Sequence, residues 1–236
     1  MRSEGRSPSD LRKTKVTPHF QSAPSGSCLI EMGGTRVICS AMIEESVPPF
    51  LKGSGKGWLT AEYSMLPGSS SQRIQRERSK VGGRTHEIQR LIGRSLRQSL
   101  DLSTMGERSL LLDCDVIDAD GGTRTASITG SYIAMMLAIK KIQGKIPNFN
   151  PKVKCQVAAI SVGVVNGVPV LDLNYEEDKD AEVDMNIVRT SEQKFIEVQG
   201  TAEANPFDDK TLAELLKLAS LGINQLFEIQ RKALEG

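Results

Sequence analysis

Gly121-Gly122-Thr123-Arg124-Thr125 combines residue types suited to holding an anion. Two glycines let the backbone turn without a Cβ clash. A helix opening straight after them leaves its first amides unpaired at the positive end of the helix dipole, where phosphate is the usual guest. The threonine hydroxyls and the guanidinium strengthen such a site. An ordinary strand-to-helix turn would read the same locally. The second chemical stretch is acidic and runs LDLNYEEDKDAEVDMN from Leu171 to Asn186. Paired carboxylates such as Asp178 and Asp184 do two kinds of work. One can act as a general acid or base, or both can hold a hydrated Mg²⁺ on oxygen ligands. Asp184 is followed by apolar strand sequence, where a carboxylate needs a reason. Glu176, Glu177, Asp180 and Glu182 read as an ordinary acidic surface turn.

Charge is segregated although the whole chain carries only +1. From Gln72 to Leu100 there are eight Lys or Arg against two Glu; from Asp172 to Asp184 there are seven Asp or Glu against one Lys. Such a split suits a site where an anionic substrate meets acidic groups, although two solvated faces would also produce it. Arg73, Arg76, Arg78 and Lys80 occupy a polar loop, and Arg90, Arg94 and Arg97 share one face of the helix that follows. Together they form the footprint of a nucleic-acid backbone contact. Arginine outnumbers lysine here seven to one, which favours planar recognition of phosphate.

Several elements must position these groups. Leu110–Ile117 reads as a mostly buried strand, Gly121-Gly122 as the turn, and Ala126–Ile142 as a helix with Thr125 as N-cap and Gly144 as its stop. Hairpins are expected at Gly33-Gly34-Thr35, at Asn166-Gly167 and at Thr190–Gln193. Asp178 falls in the turn after a strand and Asp184 opens the next, so chain reversal brings both carboxylates to one sheet end. Residues 1–27 read as a polar extended arm, and Pro48–Ser71 as a long loop. GSGKG at Gly53–Gly57 lacks the spacing of a P-loop. A helix runs from about Asp208 to Leu234, with Gly222 as a break or bend. The halves look related, each a hairpin-led sheet with helices.

The 236 residues give ample material for a core. The four cysteines lie in apolar runs without a C-x-x-C pair, which points to buried, reduced thiols in a cytosolic protein. Two histidines far apart in sequence exclude zinc spacing. No apolar run is long enough for a membrane span, and aromatics at 4% argue against a base-stacking platform.

RSEGR, FLKGSGKGWLTAEYSMLP, GGRTHEIQRLIGRSLR, LDCDVIDADGGTRTASITG, SVGVVNG, YEEDKDAEVDMN and IEVQGTAE occur in collinear order over nearly the whole chain. In them the chain resembles the ribonuclease PH family of the polynucleotide phosphorylase superfamily. The resemblance implies an α+β fold of two similar βαβ-type halves with mixed sheets and a left-handed crossover, forming a single catalytic domain over 1–236. It implies a phosphate-dependent 3′-5′ exoribonuclease, or tRNA nucleotidyltransferase when run backwards. Inorganic phosphate would be the co-substrate and Mg²⁺ the metal. Its partners would be the 3′ ends of tRNA precursors and other copies of the chain in a cytoplasmic ring of six, built as three dimers. Arg84, Gly122, Thr123 and Arg124 would hold the phosphate, Asp178 and Asp184 would carry the chemistry or the metal, and Arg73, Arg76 and Arg78 would contact RNA. The superfamily also contains RNA-binding ring subunits without chemistry. The joint presence of Arg84, Arg124 and Asp184 is what discriminates the two readings; all three occur here, and the products released from short RNA decide between them.

Overall fold

The three expected hairpins all form, one in the five-stranded sheet and two in the four-stranded sheet. The structure, a computed structural model, describes residues 2, 5–77, 80–147, 149–203 and 205–235. In the first sheet, β1 (Thr14–Pro18), β2 (Gly26–Met32), β3 (Thr35–Glu44), β6 (Ser109–Asp118) and β4 (Trp58–Met65) lie side by side in that order. The β4–β6 pair is parallel and the rest are antiparallel. A parallel pair needs a crossover, and α1 (Gly83–Arg97) provides it, followed by the short β5 (Leu100–Asp101). After β6 come α2 (Thr123–Ile142) and β7 (Lys152–Val153), which pairs with β5.

The second sheet has the order β11 (Phe195–Ala202), β10 (Val183–Thr190), β8 (Val157–Val165), β9 (Val168–Leu171), with every pair antiparallel. Between β9 and β10 lies the short helix α3 (Tyr175–Lys179), and α4 (Asp209–Glu235) closes the fold. Asn166 and Gly167 take φ of 50° and 72°, the left-handed pair that a two-residue hairpin demands.

α2 is the centre of the molecule. Its residues from Thr125 to Met135 are buried without a polar stripe, so it cannot lie on a surface. It packs on β2 and β3 on one side and on β8 on the other, and α1 and α4 also touch it. One continuous apolar cluster therefore joins the two sheets, from Ile30 and Cys39 through Ile128 and Ile133 to Val162 and Ile187.

Several local expectations need correction. Residues 1–27 are not only an arm ahead of the first strand, because β1 lies inside them, and Asp178 stands on α3 rather than in a turn. Pro48–Ser71 is not one long loop, because β4 occupies Trp58–Met65. Leu59, Ala61 and Tyr63 alternate inward there, which is the period of a half-buried strand. The N-cap of α2 is Gly122 at φ 66°, ψ 24°, not Thr125. Thr125 lies inside the helix and its hydroxyl donates to the Gly122 carbonyl at 2.8 Å. Gly222 neither breaks nor ends α4: it is a close-approach point, where a Cβ would fall 2.7 Å from Leu171 Cδ1. Cys28, Cys39 and Cys114 are buried free thiols as expected, but Cys155 is partly exposed.

Candidate active site

The phosphate-suited turn is built as its residues predict. β6 ends at Asp118, Gly121 and Gly122 both take positive φ, and α2 begins at Thr123. The first helical bond runs from the Ala126 amide to the Gly122 carbonyl, so the amides of Thr123, Arg124 and Thr125 have no partner within the helix. Arg124 is steered by Gln199 Oε1 at 2.9 Å and by Glu87 at 3.4 Å. Arg84, the second residue of α1, is exposed and has no ion-pair partner among the described residues.

Across the cleft, Asn174 caps α3, accepting from the Glu177 amide at 2.9 Å, and α3 carries Asp178. Asp184 is the second residue of β10 and Asn186 follows two positions on, so both share one face of that strand. A cleft of about 670 Å³ is lined by Arg84, Gly121, Gly122, Thr123, Arg124, Asp178 and Asp184, with Arg73 on its rim and Ser161, Asn186 and Tyr175 also lining it. The structure thus brings together every residue expected at the phosphate and at the carboxylate pair.

The basic residues divide. Arg73 reaches the cleft, but Arg76 does not line it and its charge is felt by Asp115 instead. Arg78 lies outside the described residues. Two of the three arginines in the α1 stripe are committed elsewhere: Arg94 pairs with Glu197 at 2.8 Å, and Arg97 lies 4.5 Å from the centre of the Trp58 ring, while Arg90 stays exposed. Spacing reveals which residues share a helix face, but not what covers that face.

Burial, and then the charge of Asp178, push the Asp184 carboxyl up to about 6 against the pull of Arg124. Burial also raises Asp178, opposed by Arg124 and Arg84. Like charges this close cannot both ionise freely, so the pair keeps a proton into the range where acid catalysis is useful. Asp184 Oδ1 is buried and has no hydrogen-bond partner among the described residues.

A support that the sequence did not reveal comes from the N-terminal arm. Arg12 Nη2 meets Asp172 Oδ1 at 2.7 Å, with exposures of only 2% and 0%. The same guanidinium donates to the Asp120 carbonyl, at the very turn that holds Thr123. Arg2 and Arg6 grip Glu177 at 2.8 and 3.0 Å, one residue before Asp178. Glu177 is therefore no surface residue. Burial opposes its ionisation, but the hydrogen bonds from Arg2 and the Asn174 amide, with the charges of Arg2 and Arg6, hold its carboxyl down at about 2.

Comparison with known proteins agrees with this architecture. Residues 10–141 match the first domain of the 3′ exoribonuclease family and residues 155–221 match its second. Ribonuclease PH of Solibacter usitatus is 53% identical over 239 residues, covering all of both chains. Ribonuclease PH of Syntrophomonas wolfei is 56% identical over 237 residues, 99% of this chain and 98% of its own. Among solved structures, rice Rrp46 superposes with a TM-score of 0.81 at 16% identity over the full length of both chains. A chain of the Archaeoglobus fulgidus exosome, with RNA bound to the active site, gives 0.78 at 19% identity, covering 98% of this chain and 92% of that one. With both family domains matched in order and full-length relatives above half identity, the chain belongs to the 3′ exoribonuclease family, on its ribonuclease PH branch.

Proposed function

We propose that this protein is a phosphorolytic 3′-5′ exoribonuclease that shortens the 3′ ends of RNA and can run in reverse as a nucleotidyltransferase. One observation carries the reading: Arg84, the Gly122–Arg124 turn and the Asp178–Asp184 pair line a single cleft. Orthophosphate sits against the open amides of α2, between Arg84 and Arg124. One of its oxygens attacks the phosphorus of the last phosphodiester. The bond from that phosphorus to the 3′-oxygen of the preceding nucleotide breaks. The products are a nucleoside 5′-diphosphate and an RNA one unit shorter, whose 3′-oxygen takes a proton. Two anions must approach each other, and the two guanidiniums and the helix terminus offset that repulsion while orienting the attack. Asp184, which keeps its proton longer than an ordinary carboxylate, is the donor to the leaving oxygen.

The carboxylates also fit a hydrated Mg²⁺. Asp184 Oδ1 is buried with no hydrogen-bond partner among the described residues, and Asp178 lines the same cleft. This suits an ion held by one or two carboxylates with water and substrate phosphate completing its shell. When bound, it would neutralise charge on the phosphates.

Release of nucleoside diphosphates from a short RNA, dependent on added phosphate, is the expected result; monophosphate products would replace the reading with hydrolysis. Arg84→Ala is expected to lower the rate at limiting phosphate by roughly 10²–10³-fold, as loss of a preorganised charge-stabilising group does. RNA affinity should be largely kept. An unchanged dependence on phosphate concentration would remove Arg84 from the site.

The substrate class proposed is the 3′ end of tRNA and rRNA precursors in the cytoplasm, approached over Arg73. No described helix is long and apolar enough to cross a membrane. The assembly proposed is a ring of six, as three dimers. In support, chains of the same fold occur in an archaeal exosome core. Phe195 and Val198 are also exposed on the edge strand β11. Light scattering should give a mass near six chains; a stable monomer at working concentration would discard the ring.

A further inference from the structure

Beneath the phosphate turn lies a tyrosine that the chemistry above does not use. Tyr63 sits on β4, next to Cys114 of β6 in the parallel register, and is only 3% exposed. Its hydroxyl lies 2.9 Å from Thr123 Oγ1. Either oxygen could donate in principle, and the surroundings decide between them. A buried phenol needs an acceptor for its proton, and Thr123 Oγ1 is the one its hydroxyl has among the described residues. Were Thr123 to donate instead, the phenolic hydrogen would have no acceptor among the described residues. Burial also raises the Tyr63 hydroxyl above its ordinary range, although the hydrogen bond with Thr123, and then Arg84 and Arg124, favour its ionised form, so it stays protonated at neutral pH.

We infer that Tyr63 is a positioning residue for the phosphate co-substrate: by donating to Thr123 Oγ1 from below, it turns the threonine proton into the cleft, where it donates to the bound anion. The inference deepens the phosphate reading of Thr123 and rests on it. It also gives β4 a task in the site. That strand brings Tyr63 under a helix N-terminus from which it is separated by the whole of α1 and β6. A hydroxyl has one proton and a freely rotating O–H bond, so Thr123 without Tyr63 could point its proton away from the anion. With Tyr63 in place that choice is made before phosphate arrives, which is the advantage of preorganisation.

The test is steady-state kinetics on the full-length protein with short RNA, varying inorganic phosphate. Tyr63→Phe removes the donor with almost no change of shape. Its KM for phosphate is expected to rise about 3- to 10-fold, the usual worth of one neutral hydrogen bond, with kcat at saturating phosphate and KM for RNA held. Thr123→Val is expected to raise the same KM by about 10-fold or more, because a hydrogen bond to a charged group is stronger. In the Thr123→Val background, Tyr63→Phe should add nothing. If Thr123→Val raises KM for phosphate and Tyr63→Phe does not, the inference is overturned while Thr123 remains a phosphate ligand. If Thr123→Val leaves that KM unchanged, the phosphate role of Thr123 is lost and the inference with it. Equal falls in kcat/KM for phosphate and for RNA in Tyr63→Phe, with a lowered Tm, would reduce Tyr63 to a packing residue and overturn it too.

Discussion

Asp184→Asn is expected to lower phosphorolysis by roughly 10²–10⁴-fold, the worth of a general acid, and yet to give a more stable protein above pH 6. The second effect follows from the first residue's environment. In the fold its carboxyl is pushed up to about 6 from 3.8. The stability tied to the protonated form is therefore fully present below about pH 4 and is lost as pH rises through 6. Above that, the fold carries a charged group that burial and Asp178 both oppose. Asparagine keeps the shape and cannot ionise. The gain should be near zero at pH 4 and level off above pH 7, at about 1–2 kcal/mol once solvent in the open cleft and the attraction of Arg124 are discounted. Thermal melts of the two proteins in the presence of a chelator, from pH 4 to 8, read it directly. Parallel curves with no pH-dependent gap would sink the assignment of Asp184 as the strained acid, and so would normal turnover in the variant.

Asp172→Asn is expected to cost about 3–5 kcal/mol, because it strips a buried guanidinium of its counter-charge. Asp172 is fully buried and its two carboxylate oxygens accept from the Arg12 amide and the Arg12 guanidinium. Asparagine has one acceptor oxygen, so its NH₂ must face one of those donors. The left-handed backbone of Asp172, φ 55°, is tolerated by asparagine, so strain there is not the cause. Adding Arg12→Met should recover part of the stability, since a matched apolar replacement removes the uncompensated charge. It should not recover phosphate affinity, because Arg12 also donates to the carbonyls of Asp120 and Gly121 beside the phosphate turn. Denaturant unfolding and phosphate kinetics on the single and double variants separate the two. A single-variant loss below about 1 kcal/mol would mean that the pair is not desolvated as the structure has it.

What could be read before folding was what neighbouring residues determine together. The two glycines before a helix, Asn166-Gly167 between two strands, and Asp184 ahead of an apolar run each carry their meaning within a few positions. β4 was hidden because its alternation is carried by one leucine, one alanine and one tyrosine between a glycine-rich and a serine-rich stretch. Its partner β6 also lies beyond a whole helix. The grip of Arg2 and Arg6 on Glu177 was hidden for a simpler reason: its halves lie about 170 residues apart, at separations of 175 and 171. No periodicity connects them, and a polar arm and an acidic turn are each unremarkable alone. Arg94 and Arg97 show the reverse case, where spacing gave the face correctly and the occupants of that face, Glu197 and Trp58, came from other elements. Asn186 and its place in the cleft could have been found, since it stands two residues after Asp184 on a strand.

The buried position of α2 ties the two reacting partners to a common fate. The proposed anion site is the N-terminus of this helix, while Asp184 stands on β10 of the second sheet and Asp178 on α3 beside it. Loosening either sheet strips the helix of a large part of its packing, so a half-melted molecule with one partner in place has little to hold it. Loss of activity and global unfolding are then expected to be a single cooperative event, with the hydrogen-bonded amides of α2 from Ala126 onward among the last to exchange with solvent.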